Sequence, residues 1–368
     1  DLFCVFIEQA LNLCRDGGFS SLVVPNKLAS AHYADRTRQF LTQQHTLHYI
    51  RDYSSLPVFD ASVYPLVYVA EKTPPASQAY QVPYHVMQTL EQVKQTRSLT
   101  LTHPRQPWIS TCSDQQTQLL HRLQQDFPPL ATLTRITGAA TVGEAYAWQP
   151  LIQECPTPAS GDLLMVNSGT IDRYGFLWGQ KTMRYLGQRY QHPIVPLDQV
   201  TSLPAKRQQQ AQQPKIIVAG MSQRLEAALD RTGGVLAGKS TSIIWLNPIT
   251  GLDLRYLLAL LNSRLLSFFF MHWFQGNRLQ GGYFRIGPPQ LRQLPCYLPD
   301  LNHPDQRQDY DRLITLIDHA LMQFPCQFPC VVDSKPDVDS NHELDREIDR
   351  IVYRLYGLTS EEIRAIEE

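Results

Sequence analysis

The chain has 368 residues, 43% hydrophobic and 18% charged, which excludes a disordered or fibrous protein and leaves room for two or three domains. Lys plus Arg number 33 against 34 Asp plus Glu, a formal charge of -1, so the chain is not uniformly basic. The charge is uneven, however: residues 173–292 hold 15 basic and 4 acidic side chains, and the last 36 residues hold 5 and 11. An electropositive segment between acidic flanks either gathers a polyanion on one surface or merely samples solvated charge unevenly. Seven scattered cysteines argue against a secreted disulfide scaffold, and Cys326 to Cys330 lacks a second pair at zinc spacing. The first residues read as helix rather than export signal. The longest apolar stretch, Leu254 to Phe274, is interrupted by Arg255, Asn262, Ser263, Arg264 and His272. A soluble, cytoplasmic protein that meets no membrane is the expectation.

Phe3, Phe6, Ile7, Ala10, Leu11 and Leu13 stand at helical spacing, and Arg15-Asp-Gly-Gly18 stops that helix. Phe19 to Val24 reads as a short buried strand closed by Pro25-Asn26. A second helix fits Tyr33 to Leu41, and strands fit Leu47–Tyr53 and Val63–Ala70 on either side of a turn at Pro57. Helix, strand, helix, strand, strand is half of an α/β sheet.

"DLFCVFIEQALNLCRDGGFSSLVVPNK" followed by "VFDASVYPLVYVAEK" resembles the second half of the catalytic domain of DNA adenine-N6 methyltransferases, in the fused restriction–modification branch called type IIG or Eco57I-like. The resemblance implies an α/β fold: the C-terminal half of a Rossmann-like methyltransferase sheet, then a mixed α+β target-recognition domain and a helical tail. In that family an Asn-Pro-Pro-aromatic motif and a Gly-rich S-adenosylmethionine loop precede this point. Neither occurs here, so residues 1–100 are expected to form a partial methyltransferase domain with no catalytic, cofactor or metal residues, inactive alone. S-adenosylmethionine, and Mg2+ where an upstream nuclease exists, would belong to the full-length protein. Asp1, Phe3 and Phe6 stand nearest the lost motif, as adenine-site or plain core residues. Pro25, Asn26 and Lys27 end the strand where open α/β sheets bind ligands, and are the candidate wall of the adenine pocket in the intact enzyme. Asp60 and Tyr64 read as structural.

From Glu71 to Ser98 the composition turns Pro-, Gln- and Ala-rich, which predicts a surface excursion or linker. Asp114 to Phe127 fits an amphipathic helix, and residues 101–135 are read as a helical connector. A DNA target-recognition domain is expected over 136–300. It opens on Thr137-Gly-Ala-Ala-Thr-Val-Gly-Glu-Ala-Tyr146, read as a Gly turn and strand that a phosphate or base edge can approach. "NSGTIDRY" then gathers Asn167, Thr170, Arg173 and Tyr174, with Lys181 and Arg184 following. Arg reads guanine and Asn reads adenine bidentately, while Lys and Thr often hold phosphate; equally, Asn167 and Thr170 cap a turn and Arg173 makes a salt bridge.

Gln199 to Lys215, centred on "AKRQQQAQQPK", is either a basic loop that orders on phosphates or a surface excursion. "AGKS", with Lys239, lacks the spacing and following helix of a P-loop. "LLALLNSRLLSFFF" is a packing helix and the strongest match to the family. Behind it lies "FQGNRLQGGYFRIGPPQLRQLP", where Asn277, Arg278, Gln280, Tyr283 and Arg285 are candidate DNA contacts. Residues 301–368 form a helical tail whose acidic face either packs on the recognition domain or stays solvated.

The expected partners are double-stranded DNA and the missing N-terminal catalytic region. The function this implies is DNA sequence recognition within a site-specific adenine-N6 methyltransferase or type II restriction–modification enzyme. The alternatives are a stand-alone specificity subunit that serves a separate methyltransferase, and a protein-interaction module that does not bind DNA.

Overall fold

The computed structural model describes residues 1–61, 63–77, 79–101, 105–110, 112–322 and 338–367. Two compact units divide the chain: residues 1–117 with 272–277, and residues 118–271 with 278–368.

In the first unit, helix α1 (Leu2–Leu13) buries Phe3, Ile7 and Leu11, one residue per turn. Gly17, at φ +74°, turns the chain into strand β1 (Phe19–Pro25). Strands β2 (Thr46–Asp52), β3 (Pro65–Glu71), β4 (Gln81–Met87) and β5 (Val93–Thr100) complete a sheet of order β1-β3-β2-β4-β5. Only β2 and β4 run parallel, pairing Ile50 with Tyr84. Strand β3, between β1 and β2, buries Leu66, Tyr68 and Ala70 completely in the core that also holds Phe3, Ile7 and Leu11 of α1.

Strands β4 and β5 correct the reading of Glu71 to Ser98 as an excursion. Val82, Tyr84 and Met87 do alternate inward, but Pro83 and the almost wholly exposed Val-Lys-Gln-Thr-Arg strand hide the pattern in composition. The helix expected at Tyr33–Leu41 is also broken, into a 3-10 turn (His32–Ala34), a short helix (Asp35–Gln39) and a π turn (Phe40–Gln44). Buried Arg38 organises it, donating to the carbonyls of Leu28, Ala31 and Arg105; burial lowers its pKa to about 10.

The second unit holds two four-stranded sheets. One is antiparallel, in the order Ala227–Asp230, Lys215–Ala219, Thr241–Leu246, Thr134–Gly138. The other runs Val235–Ala237, Leu163–Val166, Pro193–Val195, Gln153–Glu154, its first pair parallel. Strand Thr134–Gly138 therefore lies in a sheet of this unit, and the residues read as a connector, 101–135, divide between the two units.

Three sequence expectations change here. The Thr137–Tyr146 passage is not turn and strand throughout: Val142–Trp148 is a helix with a full capping box between Thr141 and Glu144. The Gln199–Lys215 loop contains a helix, Ala205–Gln212, on which Arg207 is buried against Glu144 (2.8 Å). The "LLALLNSRLLSFFF" segment is two helices, Leu254–Asn262 and Arg264–Trp273, bent by 59°. The chain leaves the helical path at extended Ser263, whose Oγ caps Leu266 N, while the amide of Asn262, the last residue of the first helix, bonds both the N–H and the carbonyl of Ala227. Among the described residues no single helix is long and apolar enough to cross a membrane.

The tail helices Pro304–Met322 and Val338–Leu355 also belong to the second unit, and the acidic one packs on it rather than standing in solvent. Asp349 accepts from the Arg264 N–H (2.7 Å) at a helix start. Cys326 and Cys330 lie outside the described residues.

Candidate nucleic-acid interface

The cations of residues 173–292 sort into two groups. Lys215 is fully buried on Asp230, Arg207 is held by Glu144, Arg173 by Asp345, and Arg255 by Asp253 (2.7 Å) and Asp318 (2.5 Å). These stabilise the fold. Lys181, Arg184, Arg189, Arg224, Arg278 and Arg285 are exposed, and Lys239 is half-buried.

Several of the exposed group are carried by loops that meet at one hydroxyl. Ser168, in the 3-10 turn Ser168–Thr170, donates to the carbonyl of Ser240 and accepts from the N–H of Gly220 (2.9 Å). Gly220 has to be glycine, because a Cβ there would lie 2.1 Å from Ser240 O. Ser240 itself sits at φ +65°, on the turn that displays Lys239. Gly220 also accepts from Ile286 N (3.0 Å), and the next residues pair Met221 with Arg285 and Ser222 with Phe284. Gln223 reaches Gly281 O (3.2 Å) across the same seam. Within that loop an Arg278–Phe284 bridge and a Leu279 N to Tyr283 O bond (2.6 Å) leave the Arg278, Tyr283 and Arg285 side chains exposed. Only the backbone of Gln280 is described.

Asn167 and Thr170 take the capping role. Asn167 Oδ1 accepts from Gly169 N (2.9 Å), Thr170 Oγ1 accepts from Asn167 N (3.0 Å), and Thr170 is buried. The Asn167 amide also donates to Arg184 O (2.8 Å), which fastens the hairpin Met183–Tyr185/Gln188–Tyr190 to this turn. Arg173 and Tyr174 are likewise internal: both bond Asp345, Tyr174 Oη at 2.9 Å, and buried Tyr174 stands at φ +72°. The salt-bridge reading thus describes Arg173 in this structure.

Carboxylates that sequence reading passed over border the cations. Burial, with Asp172 adding to it, raises Glu226 to about 7, against the pull of Arg224, Lys181 and Arg173. Burial raises Asp349 to about 6. Neither had a sequence signal, since their environment is assembled from separate segments. Ser168 was inside the quoted "NSGTIDRY" block but carries the least distinctive side chain in it.

In the first unit, Pro25 is an exposed strand end, Asn26 N bonds Tyr64 O (2.8 Å), and Lys27 donates to Gly276 O and to Asn277 Oδ1 (3.2 Å). Two candidates assigned to different roles, Lys27 and Asn277, therefore hold each other. Among the described residues no cluster of three His, Cys, Asp or Glu is placed to hold a metal.

Residues 168–296 match the model of the TaqI-like C-terminal specificity domain, and residues 1–59 match the Eco57I restriction-modification methylase. No curated protein is similar enough in sequence to count as a relative. Among solved structures, the chain is similar to the type IIL restriction-modification enzyme MmeI, determined in complex with DNA: 9% identity, TM-score 0.52, covering 100% of this chain and 51% of that one. The type IIG restriction endonuclease BpuSI gives 11% identity and TM-score 0.41 over 96% of this chain and 49% of that one. The chain thus spans about half the length of either. The likeness to MmeI is one of fold.

Proposed function

From a chain that joins an Eco57I-type methylase segment to a TaqI-like specificity domain, we propose a DNA-recognition part of a restriction–modification enzyme that methylates adenine N6. The observation that carries this reading is the convergence, on Ser168, of the turn bearing Lys239 and the loop bearing Arg278, Tyr283 and Arg285. Cations and an aromatic displayed from a seam of backbone hydrogen bonds suit a duplex: phosphates give affinity and sequence-independent register, and guanidinium forks address base edges. Arg278 and Arg285 are the readers, and Lys181 and Lys239 hold phosphate. Asn167 and Thr170 shape the turn beneath them, and Arg173 and Tyr174 seat the tail helix.

Methyl transfer belongs to the whole enzyme. A preceding methylase segment would supply the S-adenosylmethionine loop and the Asn-Pro-Pro-aromatic motif, with Pro25, Asn26 and Lys27 walling the adenine pocket. The support is the state of the first unit: β1 lies at a sheet edge, and Leu2, Val5, Phe6, Leu13, Phe19 and Val23 are exposed. An unfinished apolar face of this kind fits a covering half-domain.

The test is fluorescence anisotropy of the chain with a mixed-sequence duplex at several salt concentrations. Affinity should fall steeply and log-linearly with salt. No binding at low salt would favour a protein-interaction module over a DNA reader.

A further inference from the structure

The hairpin Met183–Tyr185/Gln188–Tyr190 places Arg184 directly opposite Arg189. Its two-residue loop, Leu186-Gly187, has φ +46° and +84°, the geometry of a type I′ turn, which makes Tyr185–Gln188 the hydrogen-bonded pair and Arg184–Arg189 the close, non-hydrogen-bonded one. Met183 and Tyr185 are buried on one face of the ribbon, so both arginines stand together on the other, and both are exposed. Among the described residues, neither guanidinium forms an ion pair. Like charges directly across a ladder are destabilising, and the non-hydrogen-bonded position brings them nearest.

Nor can this ribbon easily swing its two charges apart. Leu186 occupies a left-handed position that is strained for a leucine, and its side chain packs against the neighbouring core. Its carbonyl accepts from Gln149 Nε2 (3.3 Å), and the Arg184 carbonyl accepts from Asn167. The tip is fastened at three points while it holds two cations side by side.

We propose that Arg184 and Arg189 form a phosphate clip that grips one phosphodiester of the DNA backbone between two guanidinium groups. The inference rests on the DNA reading above and adds a contact to it. One anion shared between two forks removes the repulsion that the free hairpin carries, and each guanidinium can donate to a phosphate oxygen. Such a grip is independent of sequence: it sets where the duplex lies, leaving base choice to the loop that bears Arg278 and Arg285.

A clip of this kind trades stability of the free protein for affinity, and that trade can be measured. In the 368-residue chain, Arg189→Glu places opposite charges across the ladder. It should raise Tm by about 2 °C while weakening binding of a mixed-sequence duplex at least 10-fold near 0.1 M salt. Arg184→Gln with Arg189→Gln should leave Tm unchanged or higher and reduce the slope of log affinity against log salt by about 1. Inorganic phosphate, titrated alone, should not restore the difference in Tm at concentrations where the duplex does. A wild-type slope in the double Gln variant would overturn the clip while leaving the DNA reading intact. Tight phosphate binding by itself would point instead to a free-anion site and overturn it too. Failure of the unaltered chain to bind duplex at low salt would end both.

Discussion

Each unit leaves something on its surface that its own core does not use, and the two remainders differ in kind. The first exposes apolar groups: Leu2, Val5, Phe6 and Leu13 on α1, Phe19 and Val23 on β1. The second exposes cations on hairpins and loops whose backbones are tightly bonded to one another. Apolar surface is costly in water and is relieved by another protein surface. Fixed cations at close range are relieved by a polyanion. On the proposed reading, the first remainder suits a protein surface and the second a nucleic acid.

The sharpest way to break the comparison is to reverse the charge of the proposed readers. Arg278→Glu with Arg285→Glu should lower duplex affinity by about 100-fold or more at 0.1 M salt, each site contributing on the order of 1–3 kcal/mol. Tm should hardly change, because both side chains are exposed. An affinity loss matched by an equal loss after Phe6→Ser would show that the two surfaces are not separate in function.

Next in size is a cation the fold keeps for itself. Arg207→Ala should destabilise the second unit by about 3 kcal/mol in denaturant unfolding, because it strands Glu144 beside a buried helix face. Arg207 holds the Glu144 carboxyl down to about 2. A depressed carboxylate stabilises the fold above its unfolded pKa, near 4.5, and loses that contribution as pH falls toward 2. The gap between wild type and variant should therefore be full at pH 7 and narrow below about pH 4. Duplex affinity at temperatures where both are folded should differ little, unlike in the reader variants.

Smaller again is the seam. Ser168→Ala removes the acceptor of Gly220 N and the donor to Ser240 O, and Ser168→Thr retains a hydroxyl. Alanine should cost about 1 kcal/mol in stability and weaken duplex binding severalfold, with threonine recovering part of both. Glu226→Gln tests the border of the same surface. A carboxyl raised to about 7 by burial and Asp172 stabilises the fold only below its unfolded pKa, and the contribution fades as pH climbs through 7. Wild-type Tm should thus drop by a few degrees more than that of the Gln variant between pH 5 and 8.

Those effects also mark what the sequence could disclose. The α1 helix and β3 were visible because their apolar residues keep their periods, β1 was visible as a short apolar run closed by Pro25-Asn26, though Phe19 and Val23 are exposed rather than buried, and the basic middle segment was visible by counting. Strand β5 was not, because an edge strand that buries almost nothing has no inward period to read. The Ala205–Gln212 helix looked like a loop because two of its three buried residues are polar, Arg207 and Gln210, which bond each other and reach Gly138 and Glu144 from elsewhere in the chain. In the site, residue type identified Arg278 and Arg285 but also Arg173, which is bound to Asp345. Only tertiary structure shows which guanidinium is exposed and which is half-buried on a carboxylate 172 positions away.

The smallest expected effect bears on the first unit alone. Phe6 and Phe19 are 65% and 61% exposed, so Phe6→Ser with Phe19→Ser should move the unfolding free energy by no more than about 0.5 kcal/mol. A core phenylalanine would cost several times that. What should change is association: light scattering at rising concentration should show less self-assembly in the double variant, because less apolar surface and a less sticky β1 edge remain for another chain to cover. Equal scattering, with stability lost instead, would mean that these rings are internal to the fold in solution. The protein-facing vacancy would then disappear from the comparison, and the cationic surface would remain.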